Sequence, residues 1–148
     1  MANPTIFVDG FLALTTSTGS STYLEVDAVK EVRMPISREE VDDAVMDDDI
    51  DAKFPGRVNA PLSAKLRQDF GASGNDVKFW NLLNNKTPVK AKVRPTDAAV
   101  ATANPSYIFS KVRVFSITPI SGAHGEPLMN EIEFRMSSGG VLSRSTST

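Results

Sequence analysis

The sequence predicts a mainly β fold, a sandwich or barrel of about seven or eight strands with one short α-helix around residues 76–85 and a long inter-strand loop at 39–57. Three observations predict it. Apolar residues recur with period two along most of the chain, as in half-buried strands. Turn signals such as Asp9-Gly10 and the Ser121 to Pro127 stretch separate those runs. Only one segment carries a sustained helical pattern.

Ile6-Phe7-Val8 and Phe11-Leu12-Ala13-Leu14 read as an opening strand pair joined at Asp9-Gly10. Thr15 to Thr22 is a polar loop. Tyr23, Leu24 and Val26 begin another strand, which Val29, Val32, Met34 and Ile36 continue. Ser37 to Glu40 has the spacing of a capping box, and Val41, Ala44 and Val45 follow at helical spacing. The aspartates at 42, 43 and 47 to 49 are poor helix formers, so Glu39 to Gly56 reads mainly as a loop.

Val58, Ala60, Leu62, Ala64 and Leu66 alternate with Asn59, Ser63, Lys65 and Arg67, a half-buried strand with Pro61 marking a bulge or an edge. Asp76 is positioned to cap a helix running to Asn85, with Val77, Trp80 and Leu83 expected to pack against a sheet. Val89, Ala91 and Val93 alternate with Lys90, Lys92 and Arg94. Tyr107 to Ile120 has apolar groups on both faces and is the longest strand. Leu128, Ile132, Phe134 and Met136 face the core, while Glu131, Glu133 and Arg135 face away. The length of 148 residues suits one domain over 1–137, followed by a flexible Ser/Gly/Thr-rich tail at 138–148.

Bulk properties narrow the function. The net charge of −2 argues against a binder driven by phosphate contacts. Cysteine is absent, which removes disulfides, thiolate metal sites and a Cys nucleophile. No signal peptide is read at Met1-Ala2-Asn3-Pro4, and no apolar run matches a spanning helix, so synthesis in the cytoplasm and no membrane partner are expected.

Catalytic raw material is scarce. The sole histidine, His124, sits in a Gly-flanked turn, where a surface role outweighs a triad role. Asp47, Asp49 and Asp51 copy the first ligand positions of a calcium loop, but Ala52 stands where glycine is needed and Val58 where glutamate is needed. Glu131 and Glu133 share one strand face, whereas glycoside hydrolysis needs carboxylates flanking a cleft. No enzyme activity, cofactor or metal is expected. Lys90, Lys92 and Arg94 lack interleaved aromatics for single-strand stacking, and pairing with the acidic loop of another subunit suits them better.

The order of elements then becomes specific. Asp9-Gly10-Phe11 leads to Val32 through Asp42, an acidic loop follows, then Phe54-Pro55-Gly56-Arg57-Val58-Asn59-Ala60-Pro61-Leu62-Ser63, the helix around Phe79-Trp80 and two long strands. From about residue 4 to 137 this resembles the major tail tube proteins of long-tailed bacteriophages, and more distantly the tube proteins of contractile tails and type VI secretion.

The resemblance implies six-fold rings stacked into a tube whose channel conducts the genome during ejection. Each subunit would add strands to a continuous inner barrel. The long loop would bridge adjacent rings through Val41, Asp42, Asp43, Asp47, Asp48, Asp49, Asp51, Lys53, Phe54 and Arg57. Glu131 and Glu133 are the candidates for the channel lining. Implied partners are further copies of the chain, tape-measure and terminator or tip proteins, and double-stranded DNA in transit; the implied location is the virion tail. Two other readings compete: a β-sandwich binding or decoration module, which requires an exposed aromatic platform, and a small hydrolase, which requires a nucleophile–base pair.

Overall fold

Alternating apolar residues in the second half of the chain build one large antiparallel sheet. The computed structural model describes residues 10–43 and 52–147. Its strands are β1 (Phe11–Leu14), β2 (Leu24–Glu25), β3 (Val29–Arg33), β4 (Ser37–Asp42), β5 (Lys53–Asn59), β6 (Leu62–Arg67), β7 (Val89–Arg94), β8 (Ser106–Ser121), β9 (Met129–Met136) and β10 (Leu142–Ser145). The single helix in the described residues, α1, spans Asn75–Asn85. The main sheet runs β2-β1-β7-β8-β9-β6-β3, with β10 added beside β8, while β4 and β5 form a separate two-stranded ribbon.

The two ends of the main sheet meet. β2 and β3 lie at opposite ends of the hydrogen-bonded order, yet only Val26, Asp27 and Ala28 separate them in the chain. Four Cα steps reach at most about 15 Å. The sheet therefore curls until its two ends come near each other, with Ala28 in the left-handed region at φ 59° where the chain crosses between its edges. The concave face holds one apolar cluster that includes Leu12, Leu62, Leu66, Phe109, Val112 and Phe134.

β6, β7 and β9 keep the alternation read from the sequence: Leu62, Ala64 and Leu66, then Val89, Ala91 and Val93, then Ile132 and Phe134 are buried. β8 does not. Its register shifts between Val89 and Ala91 of its β7 partner, and again at Val114/Ser116 and Thr118/Ser121. Each bulge moves the inward position by one residue. Phe109, Val112 and Val114 consequently share the core face, and Phe115 turns outward. Strict alternation from Phe109 would have put Phe115 on the same face; the bulges separate them.

The helix also differs from its sequence reading. Its N-cap is Gly74 without a side-chain cap bond; Asp76 lies in the first turn. A Cβ at position 74 would collide with the Asp69 carbonyl, so the backbone approach requires glycine. Asp76 N donates to Asp69 O at 3.2 Å and Asn75 Nδ2 to Arg67 O at 3.2 Å, which tie the helix start to the end of β6. The core residue is Phe79, fully buried and edge-on to Phe134 at 6.1 Å. Val77 and Trp80, expected to pack inward, are exposed, and Leu83 is half-buried against the cluster. Apolar residues at 77, 79, 80, 82 and 83 span too wide an arc for one helix to bury them all against one sheet.

Three further corrections concern strands. Ser37 to Asp42 is extended, not a helical turn, and pairs with β5, so both described ends of the 39–57 segment are paired strand rather than loop. The strand read as continuous from Val58 to Leu66 breaks at Ala60-Pro61, where the chain leaves the ribbon for the main sheet. The 138–148 tail threads back as β10, pairing Leu142 with Phe109 and Ser145 with Ser106. The strand expected at Ile6 to Val8 lies outside the described residues.

Candidate assembly surface

A ribbon with no core of its own is the first feature that needs a partner. All six residues of β4 are exposed, as are six of the seven in β5. Val41 pairs with Phe54 across the ladder, and both are exposed. The strands approach closely at Gly56, whose missing Cβ would sit 2.8 Å from Val41 Cγ2. The ribbon remains paired out to Asp43 N on Ala52 O at 3.0 Å, and Lys53 lies 4.0 Å from Asp42. An isolated two-stranded hairpin is marginal in water, and an exposed ion pair adds at most about 1 kcal/mol. Asp47, Asp48, Asp49 and Asp51 lie outside the described residues.

The second feature is an open edge. Beyond Val112, β8 pairs with β9 along one side only. Within the irregularity between Thr118 and Ser121, Pro119 O accepts a bond from Gln68 Nε2 at 2.7 Å. Proline suits an edge because it has no N–H to donate. Phe115 and Ile120 project from this stretch with 59% and 71% of their surface exposed, five residues apart along an edge that presents unpaired backbone groups.

The third feature is the convex face of the curled sheet. Glu131 and Glu133 lie there, as expected from the alternation, but they are compensated. Lys65 bridges Glu31 at 3.6 Å and Glu131 at 3.7 Å. Glu133 accepts from Arg135 Nη2 at 2.7 Å and Nε at 3.0 Å. Arg33 lies opposite Ser63 and Arg113 opposite Arg135. A shallow depression of about 370 Å³ between Glu31, Lys65, Glu131 and Glu133 is therefore of mixed charge, not the carboxylate-dominated surface that the sequence suggested.

The cations of β7 are occupied within the chain. Lys90 Nζ donates to Ser20 O at 3.1 Å. Lys92 Nζ sits 4.1 Å from the centroid of the Tyr23 ring, whose phenol pKa is raised by burial. Arg94 lies 4.0 Å over Phe11, 3.7 Å from Asp97, and donates to Ala98 O at 3.1 Å. Of the three, only Arg94 has a carboxylate partner among the described residues, Asp97.

A groove that the sequence did not signal lies at the ribbon's base, between Ile36, Arg38, Arg57 and Val58 on one wall and Val141 and Arg144 on the other. Its wall on the β10 side forms only because β10 returns to the sheet. Among the described residues no group of three or more metal-ligating side chains occurs, and no helix is long and apolar enough to cross a membrane. His124 is exposed in the β8–β9 turn.

This curled sheet with an uncovered ribbon and one short helix is a fold that the chain shares with solved tube proteins. The chain superposes on the SPP1 tail tube with a TM-score of 0.72 at 11% identity, covering 98% of this chain and 82% of that one. It superposes on the tail of an empty gene transfer agent particle of C6 symmetry with a TM-score of 0.66 at 16% identity, covering 91% and 95%. An extracellular contractile injection system, the PVC sheath–tube complex, gives 0.63 at 11% identity over 96% and 93%. No family model and no curated protein matches the sequence.

Proposed function

We propose that the protein is a structural tail tube subunit of a virion, a non-enzymatic chain that assembles with copies of itself into stacked six-membered rings around a DNA-conducting channel. The observation that carries this reading is the ribbon. Seven-residue β5 and six-residue β4 expose nearly every side chain, including Val41 and Phe54, and gain a stable setting only when another molecule covers them. The shared fold with a tail of C6 symmetry supports the six-membered ring. In this reading the ribbon bridges rings, the free edge of β8 joins neighbours within a ring, and terminator, tip and tape-measure proteins complete the tail.

The convex face bearing Glu131 and Glu133 lines the channel. Its ion pairs leave no large excess of either sign, so the duplex finds no run of unpaired cations to hold its phosphates. Tubes carrying Glu131→Lys and Glu133→Lys together are expected to retain added duplex DNA at about 50 mM salt and release it near 200 mM, as counterion release dictates. Retention equal to that of the unsubstituted tube would place this face elsewhere. Sedimentation across a concentration series tests the self-association itself: growth from the 16.0 kDa chain to large assemblies is expected.

The decoration-module reading has one observation in its favour, the exposed Trp80 on α1. It stands alone on the helix surface, whereas a glycan platform needs a broader aromatic face.

A further inference from the structure

We propose that the arginine-lined groove at the base of the ribbon seats the acidic ribbon tip of a second copy; this rests on the tube reading and names the receptor for its bridging element. The groove has a volume of about 720 Å³. Its apolar walls are Ile36, Val58 and Val141, all exposed in the single chain. Arg38, Arg57 and Arg144 line it, and no carboxylate does. None of the three lies within ion-pair distance of an acidic side chain among the described residues. Arg38 Nη1 donates to Gly56 O at 2.9 Å and Arg144 Nε to the Tyr107 hydroxyl at 3.3 Å. A guanidinium has five N–H donors, so most of their capacity is open toward the groove.

The ligand such a site selects is anionic and apolar at once. The sequence from 42 to 51 reads Asp-Asp-Ala-Val-Met-Asp-Asp-Asp-Ile-Asp, six aspartates interspersed with Val45, Met46 and Ile50. No other segment of the chain concentrates carboxylates so densely. The ladder from Arg38 to the Asp43–Ala52 bond carries the ends of this segment about 17 Å from the groove, at about 3.4 Å per residue. The groove of a second copy meets the segment without its having to turn back along its own ribbon.

The absence of cysteine makes a direct test clean. One preparation carries Val141→Cys, another carries Asp48→Cys with an affinity tag, and the two are mixed, assembled and treated with a short bismaleimide. The Val141–Asp48 cross-link is expected at about tenfold or more above a control in which Glu126→Cys, in the distant β8–β9 turn, replaces Val141→Cys. Arg57→Glu with Arg144→Glu, and separately Asp48→Arg with Asp49→Arg, are expected to stop assembly alone and to restore it when mixed. Cross-linking at the control level within normally formed tubes would overturn the groove assignment and leave the tube reading standing. Unsubstituted chains that stay monomeric throughout would overturn both.

Discussion

Removal of Asp43 to Ala52, with the ribbon strands rejoined by a two-residue Asn-Gly turn, is expected to abolish tube formation completely while moving the unfolding midpoint by only a few degrees. The reasoning is one of location. The apolar cluster draws on β1, β6, β7, β8, β9 and α1, and no residue between Ser37 and Asn59 belongs to it. The deletion removes no buried side chain among the described residues, and Asn-Gly is the favoured closure for an antiparallel pair. What it removes is the concentrated negative charge that a second copy would engage. Circular dichroism melting checks the first half of the prediction and electron microscopy the second. A shortened chain that still makes normal tubes would remove the bridging role from the ribbon tip.

Phe79→Ala is expected to destabilise the isolated subunit by about 3–5 kcal/mol, the range for deleting a fully buried aromatic. At roughly 2–4 °C per kcal/mol for a chain of this size, the midpoint falls by roughly 6–20 °C. Phe79 is the fully buried residue of the helix in the apolar cluster, and its edge-on contact with Phe134 at 6.1 Å is lost with it. Trp80→Ala, one residue along, is the informative comparison. Its side chain is 51% exposed, so the expected change is below about 1 kcal/mol. Equal losses from the two substitutions, measured by urea denaturation, would contradict the orientation of α1.

The sequence made the fold legible wherever one face of a strand is buried. Leu62-Ala64-Leu66, Val89-Ala91-Val93 and Ile132-Phe134 show period two because a concave core demands it. The ribbon was illegible for the same reason. Neither face of Ser37–Asp42 or Lys53–Asn59 is buried, so nothing imposes alternation, and Ser37 with Glu40 imitated a helix start. β10 was hidden by its composition: Leu-Ser-Arg-Ser is strand only because it continues beside the first half of β8. The bulges of β8 were equally invisible, since the shift at residues 110 and 111 comes from pairing with β7, not from any local signal.

The candidate surface was legible in part. The acidic stretch and the Glu131/Glu133 face stood out by charge and spacing. Their partners did not, because Lys65 meets Glu131 across a strand pair and Arg135 meets Glu133 along one face. The arginine groove gathers residues 38, 57 and 144 from three strands, a juxtaposition no linear pattern displays.

Negative-stain electron microscopy of the concentrated protein, together with its native particle, tests the central claim most directly. Hollow cylinders built of stacked six-membered rings, with a stain-filled axial channel, are the expected result. Solitary particles of the mass of one chain at every concentration, and no such cylinder in the native particle, would contradict it.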